Sequence, residues 1–156
     1  MNKMKYIFVR GKDDMNCMSA CLEMILLNYG FIINQERIAQ DIGAPYPILE
    51  SKKGKDSKVN KFFRKNNISL NMEFMPSEEI INHEYDLLIK EALGKSKDVC
   101  VSLNEGDYNH VLLVEKYGCD ENSDMLFLID PEHGRISREL KDIGNKITGF
   151  FLFSTI

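Results

Sequence analysis

The spacing of apolar residues predicts helices in the first half of the chain. From 16 to 29 they recur every three or four positions, which is the spacing of one buried helical stripe. Asn16 is a favoured N-cap residue type and Gly30 favours a helix end. Similar patterns predict a second helix after Asn34 that ends at Gly43, a third over 57–66 and a fourth over 77–93.

The second half of the chain changes to the spacing of strands. Apolar and polar residues alternate over 68–74, and short β-rich runs follow at 99–103, 111–117, 125–129 and 148–153. Helices followed by strands favour an α+β fold in which an N-terminal helical layer packs on a C-terminal antiparallel β-sheet. If 111–117 and 125–129 pair as a hairpin, the start of the first strand and the end of the second lie at one end of the sheet.

Composition and charge narrow the class of protein. A chain of 156 residues fits a single domain, residues 1–156. With 20 Lys and Arg against 24 Asp and Glu, the net charge of -4 disfavours nucleic-acid binding. The sequence has no apolar run near the roughly 20 residues of a membrane span, so we expect no direct membrane insertion. It shows no secretory signal, which predicts a cytoplasmic protein with reduced cysteines.

Cys17 stands at the start of the strongest predicted helix. The unpaired N–H groups there favour a thiolate over a thiol, which would make Cys17 a nucleophile. The plainer interpretation is a small buried residue, because cysteine is often just that. Cys21 lies one helical turn on, and without a paired Cys or His knuckle we expect no metal site. Cys21 and Cys100 fit the core, whereas Cys119 is predicted to lie exposed in a turn.

His110 differs from the other two histidines. His83 is predicted to lie on a solvated helix face and His133 at a turn tip. His110 instead opens the apolar run 111–114, so rigid backbone would hold its ring at the mouth of a strand, as a general base requires. Asp130 ends the run 125–129 and would meet His110 if the hairpin forms; alternatively, Asp130 and Pro131 only start a turn. Cys17, His110 and Asp130 then follow the chain order of a papain-like thiol hydrolase.

Four segments of this sequence together resemble the peptidase C39 family. Residues 16–30, NCMSACLEMILLNYG, are similar to the family's nucleophile helix, and residues 109–114, NHVLLV, to its histidine strand. Residues 129–134, IDPEHG, resemble its Asp-Pro-x-x-Gly turn, and residues 148–152, TGFFL, its closing strand. The resemblance extends over nearly the whole chain.

The resemblance implies a papain-like cysteine peptidase domain of the kind found in bacteriocin-processing ABC transporters, or a standalone relative. Cys17 would be the nucleophile, His110 the general base and acid, and Asp130 the orienting carboxylate. The substrate would be a peptide with an amphipathic leader helix, cut after a Gly-Gly pair, and an ABC transporter would be a candidate partner. No cofactor and no metal are expected.

The sequence departs from the family pattern near the nucleophile. The family places a glutamine six residues before the cysteine, where its side chain donates to the oxyanion, and here that position is Gly11. Loss of one such donor typically costs about 10²–10³ in rate. Lys12 is a candidate substitute, and the Cys17 backbone N–H is the other candidate donor. Met18 stands where the family usually has glycine, and a side chain at that position would crowd the cleft.

These departures leave two alternatives to the peptidase. One is a non-catalytic C39-like domain that binds a peptide or leader or docks a transporter, which the missing glutamine favours. The other is a thiol-dependent acyltransferase on the same fold, in which an amine replaces water as the acceptor. Retention of Cys17, His110 and Asp130 together favours an enzyme over a binding module.

Overall fold

Three helices precede the first strand. The computed structural model describes residues 5–119 and 123–156, except for the side chain of Cys119. Helix α1 spans Cys17–Asn28, α2 spans Gln35–Ile42 and α3 spans Lys58–Lys65, which confirms the first three predicted helices. A 3-10 segment, Ile48–Asp56, connects α2 to α3.

Local sequence sets the ends of these helices. Gly30 (φ 87°) and Gly43 (φ 95°) adopt the positive φ that glycine reaches without strain, just beyond α1 and α2. The Asn34 side chain caps α2 by accepting from the Arg37 N–H at 3.0 Å, and Ser57 caps α3. Asn16 occupies the N-cap position of α1, but its side chain makes no capping hydrogen bond.

The fourth predicted helix begins later than the sequence suggests. Helix α4 spans Tyr85–Gly94, and the segment before it forms two 3-10 turns, Ser77–Glu79 and Ile81–His83. Asn82 (φ 53°) and His83 (φ 51°) adopt left-handed backbone, which an α-helix cannot contain. The prediction of a helix from residue 77 is therefore wrong over its first half.

Six strands form one antiparallel sheet in the order β1-β6-β2-β3-β4-β5. Five were predicted: β1 Leu70–Pro76, β2 Asp98–Asn104, β3 Asn109–Cys119, β4 Asp124–Asp130 and β6 Ile147–Thr155. The edge strand β5, Gly134–Glu139, and the short helix α5, Leu140–Ile143, were not predicted. No side chain of β5 is fully buried, so this strand lacks the apolar alternation that marks a half-buried one.

Both faces of the sheet are covered. Alternate residues of β6 belong to different clusters: Phe151 and Phe153 pack with α1–α3, whereas Phe150 and Leu152 pack on the face that carries α4 and α5. The predicted N-terminal helical layer on an antiparallel sheet is confirmed, and α4 adds cover on the opposite face. No helix in the described parts of the chain combines the length and apolar composition needed to span a bilayer.

An N-terminal strap, residues 5–16, leads into α1 along one side of the sheet. The Tyr6 N–H donates to Glu115 Oε2 at 3.1 Å, and Arg135 donates to the Tyr6 carbonyl. At the other end, the Gly11 N–H donates to the Pro131 carbonyl at 2.9 Å, and Arg10 donates to the Glu132 carbonyl. The strap therefore connects α1 to the turn after β4.

Candidate active site

Cys17 is the first residue of α1 and lies at a cavity of about 360 Å³. Its exposed fraction is 8%, so the residue is largely enclosed but contributes to the cavity wall. N–H groups in the first turn of a helix have no acceptor within the helix. The N-terminus of α1 therefore offers donors beside Cys17 that can stabilise negative charge.

His110 and Asp130 meet through the predicted hairpin. Strands β3 and β4 pair antiparallel, with Leu113 opposite Ile129, so His110 near the start of β3 lies beside Asp130 at the end of β4. Nε2 of His110 and Oδ1 of Asp130 are 2.8 Å apart, and both residues are buried. The other ring nitrogen, Nδ1, is also buried and has no well-aligned partner among residues 5–119 and 123–156.

The Cys17 thiol and Asp130 carboxylate both act on the His110 ring. Burial by itself would lower the pKa of His110, but the hydrogen bond with Asp130, the nearby Cys17 thiol and the charges of both groups raise it to about 10. Because Nε2 is engaged by Asp130, Nδ1 is the nitrogen left to face the thiol. The structure thus brings together the three side chains that the sequence singled out.

Asp130 has more partners than the sequence predicted. Oδ1 also accepts from the Glu132 backbone N–H at 2.8 Å, and Oδ2 lies 3.1 Å from Nδ1 of His133. Burial would raise the pKa of Asp130, but hydrogen bonds from His110, the Glu132 N–H and His133 hold it well below its usual range. His133 lies in a turn as predicted, but its contact with Asp130 was missed. The spacing of three residues within an Asp-Pro turn was the available signal.

The two residues considered for the oxyanion site have other partners. Gly11 has no side chain, and its N–H donates to the Pro131 carbonyl at 2.9 Å. The Lys12 N–H donates to Gln35 Oε1 at 2.9 Å, and the Lys12 ammonium pairs with Glu36. The Cys17 N–H at the helix start is the remaining candidate donor, and its role stays a prediction.

Gln35 organises the strap before Cys17, a role the sequence did not reveal. Its buried amide donates from Nε2 to the Arg10 carbonyl at 2.8 Å, while Oε1 accepts from the Lys12 N–H at 2.9 Å. Asn16 Nδ2 lies 3.5 Å from the same oxygen. The Gln35 side chain therefore bonds to residues at the start of the turn before Cys17, Arg10 and Lys12, and lies close to Asn16 at its end.

The remaining cysteines and His83 lie outside this cluster of polar groups. Cys21 and Cys100 are fully buried, as predicted, and the Cys21 sulfur lies 3.6 Å from the Val111 carbonyl. Cys119 ends strand β3 and is not in a turn, so that part of its prediction is wrong; its side chain lies outside the described residues. His83 is exposed, as predicted, but its Nδ1 lies 2.9 Å from the Tyr85 hydroxyl in a 3-10 turn and not on a helix.

Two cavities on one side of Cys17 share a wall. The cavity at Cys17 and a neighbouring one of about 400 Å³ are both bordered by Pro47, Ile48 and Asn109. The second cavity extends to Phe74 and to Leu49, which is 72% exposed. A third cavity of about 320 Å³ is bordered by His110, Asp130 and His133. The site therefore opens onto a largely apolar groove on one side and a charged cavity on the other.

One group in the described parts of the chain has metal-ligand atoms close enough to share an ion. His110, Asp130 and Glu132 have such atoms within 4.8 Å of one another. However, His110 and Asp130 already bond to each other at 2.8 Å, so a metal bound there would have to separate them. Their mutual hydrogen bond fits acid–base chemistry better than metal ligation.

Comparison with solved structures supports the fold. The chain is similar to a double glycine motif protease from an AMS/PCAT transporter in complex with its leader peptide, at 16% identity and TM-score 0.65, covering 99% of this chain and 95% of that one. It is also similar to the peptidase domain of Streptococcus ComA, a bifunctional ABC transporter of a quorum-sensing pathway, at 14% identity and TM-score 0.69, covering 99% and 100%. No family model and no curated protein matches. The chain therefore has the α+β, C39-like fold of double-glycine peptidase domains.

Proposed function

We propose that the chain is a cysteine endopeptidase that cleaves a leader peptide after a Gly-Gly pair. The observation that carries this proposal is the series Cys17, His110 and Asp130, in which a thiol at a helix N-terminus lies close to an imidazole that a buried carboxylate holds. This is the arrangement that activates a thiol as a nucleophile. The fold shared with double-glycine peptidase domains supports the choice of substrate.

The first step forms a bond from sulfur to carbon. Nδ1 of His110 takes the thiol proton, and the Cys17 thiolate attacks the carbonyl carbon of the second glycine. The carbonyl electron pair moves onto oxygen, where the Cys17 backbone N–H can donate to it. Asp130 stabilises the imidazolium that results, which agrees with the raised pKa of His110.

The second step breaks the peptide bond. As the C–N bond breaks, His110 gives its proton to the departing amine, and a thioester remains on Cys17. Water then attacks the thioester carbon while His110 accepts a water proton, and the sulfur leaves with that proton. Proton transfer by a positioned imidazole contributes typically about 10²–10⁴-fold to such rates.

The groove beside Cys17 suits an amphipathic leader helix. Its walls include Pro47, Ile48 and Phe74, and the exposed Leu49 extends the apolar surface. An apolar groove accepts one face of an amphipathic helix. Glycines at the cleavage site would pass beside Met18 and Tyr108, which border the cavity at Cys17.

The proposal includes the setting of the reaction. Residues 1–156 would act as one C39-like unit in the cytoplasm, either alone or at the inner face of the membrane with an ABC transporter. The structural neighbours named above come from transporters of this kind.

A cleavage assay tests the proposal. We would incubate the protein with synthetic peptides that carry an amphipathic helical leader followed by Gly-Gly, and with matched peptides carrying Val-Val. We expect cleavage after Gly-Gly only, and none by Cys17→Ser, whereas Cys21→Ser should fold and cleave. Cleavage retained by Cys17→Ser, or equal cleavage of both peptides, would contradict the proposal.

The surroundings of Gly11 favour a second candidate, a C39-like domain that binds a leader without cutting it. Position 11 has no side-chain donor, and its backbone N–H is occupied by Pro131. Such a domain would bind the Gly-Gly peptide and release it intact, and Cys17 would react with iodoacetamide no faster than an ordinary thiol. Fast alkylation of Cys17 together with cleavage would exclude this candidate.

A further inference from the structure

The second oxygen of Asp130 has a partner that the proposed steps do not use. Oδ1 accepts a hydrogen bond from Nε2 of His110, whereas Oδ2 lies 3.1 Å from Nδ1 of His133. Because the carboxylate can only accept when ionised, His133 must donate. Asp130 is thus shared by two imidazoles, of which His110 is buried and His133 has a side chain 66% exposed.

We propose that His133 is a positioning residue, which orients the Asp130 carboxylate so that His110 stays directed at Cys17. The inference deepens the proposed function and rests on it, because it assigns His133 to the same reaction. His133 lies on the far side of Asp130 from His110 and acts through that carboxylate.

The Asp130 carboxylate needs a donor on each oxygen to keep one orientation. A carboxylate turns about its single Cβ–Cγ bond, and donors on one oxygen leave the other oxygen free to seek a partner. His110 and the Glu132 N–H both bind Oδ1, so His133 supplies the hold on Oδ2. Loss of a hydrogen bond to a charged group changes an equilibrium by about 10- to 100-fold.

His133 lies at the edge of a cavity that other polar groups also border. The charged cavity beside it is bordered by the further titratable residues Glu105, Tyr108, Glu132, Arg138 and Lys146.

Three of these groups have partners elsewhere. Lys146 lies 4.0 Å from Glu105, and Arg138 donates to the Ser137 carbonyl at 2.8 Å. Besides His110, the side chain bordering this cavity that hydrogen-bonds to Asp130 is His133. The hydrogen bond to Oδ2 of Asp130 therefore rests on His133.

Alkylation of Cys17 by iodoacetamide tests the inference without a peptide substrate. Rates would be followed by mass spectrometry at pH 8 for the wild type, His133→Asn and His133→Ala. The asparagine amide keeps a donor near the place of Nδ1. We expect His133→Ala to react about 10-fold more slowly and His133→Asn to stay within about threefold of the wild type.

His83→Ala is the matched control, because this exposed histidine lies outside the site, and it should follow the wild type. Equal rates for His133→Ala and the wild type, or equal losses in both His133 variants, would overturn the positioning role. If the alkylation rate depends on His133 while no Gly-Gly peptide is cleaved, the positioning role stands and the peptidase proposal fails.

Discussion

At the residue scale, Gly11 is where this site differs most from the family it resembles. That resemblance places an oxyanion-donating glutamine at position 11. A Cβ atom added there would lie 3.4 Å from the Asp13 carbonyl and from the Pro131 Cβ, so the backbone has room for a side chain. Gly11 therefore affects the site because it lacks a side-chain donor, and not because a side chain at this position would clash with its neighbours.

We expect Gly11→Gln to speed cleavage of the Gly-Gly peptide by about 10-fold or more, because one oxyanion donor is typically worth about 10²–10³ in rate. The gain should appear in kcat and not in KM, because the donor acts on charge that develops in the transition state. Gly11→Ala reports the effect of the added Cβ alone. Equal rates for the two variants would show that the glutamine does not reach the oxyanion.

Single residues also show what sequence can and cannot predict. Cys17, His110 and Asp130 were predictable because each stands at the end of an element whose apolar pattern is strong. The hairpin of β3 and β4 pairs in the expected way and joins His110 to Asp130, whereas the approach of Cys17 also needed α1 to pack on β3. The contacts of His133 and Gln35 were not predictable, because they join segments that the hydrophobic pattern does not relate.

At the element scale, helix α2 supports the nucleophile through one side chain. Gln35→Ala would leave the Arg10 carbonyl and the Lys12 N–H without their partner inside the protein. We expect the free energy of unfolding to fall by about 1–3 kcal/mol, the cost of unpaired buried polar groups. The loosened strap should also slow alkylation of Cys17.

Urea unfolding and iodoacetamide rates measure the two effects. Gln40→Ala is the matched control, because Gln40 lies on the same helix with its side chain exposed. A Gln35→Ala variant as stable and as reactive as Gln40→Ala would contradict the role given to Gln35.

Strand β5 and the late start of α4 are two features that the apolar pattern of the sequence does not mark. Strand β5 has no fully buried residue, so its own sequence does not predict a strand. It forms because it pairs with β4. Glu78 and Glu79 are acidic residues of the kind that suits a helix N-terminus, but they lie in a 3-10 turn. Left-handed backbone at Asn82 and His83 separates that turn from α4, and apolar spacing does not report it.

At the scale of the whole molecule, the buried pair of His110 and Asp130 links stability to pH. The pKa of His110 rises from 6.5 to about 10 on folding, so its contribution is complete below pH 6.5 and is lost as pH rises toward 10. The pKa of Asp130 is depressed, so its contribution is lost as pH falls below the ordinary value of 3.8.

We therefore expect the free energy of unfolding to decline between about pH 6.5 and 10. Urea unfolding at several pH values measures this decline. His110→Gln cannot be protonated, and it should show a flatter profile over the same interval. Parallel profiles for the two proteins would mean that His110 does not hold its proton more tightly in the folded state.

The N-terminal strap has a mechanical consequence. Residues 10 and 11 bond to the carbonyls of Glu132 and Pro131, next to Asp130, and the same short segment continues into Cys17. The short run of backbone from Arg10 to Cys17, held by these two hydrogen bonds, therefore links the nucleophile to the turn after Asp130. A binding partner that displaces residues 5–10 would change the distance between the Cys17 sulfur and the Asp130 carboxylate without contact to either.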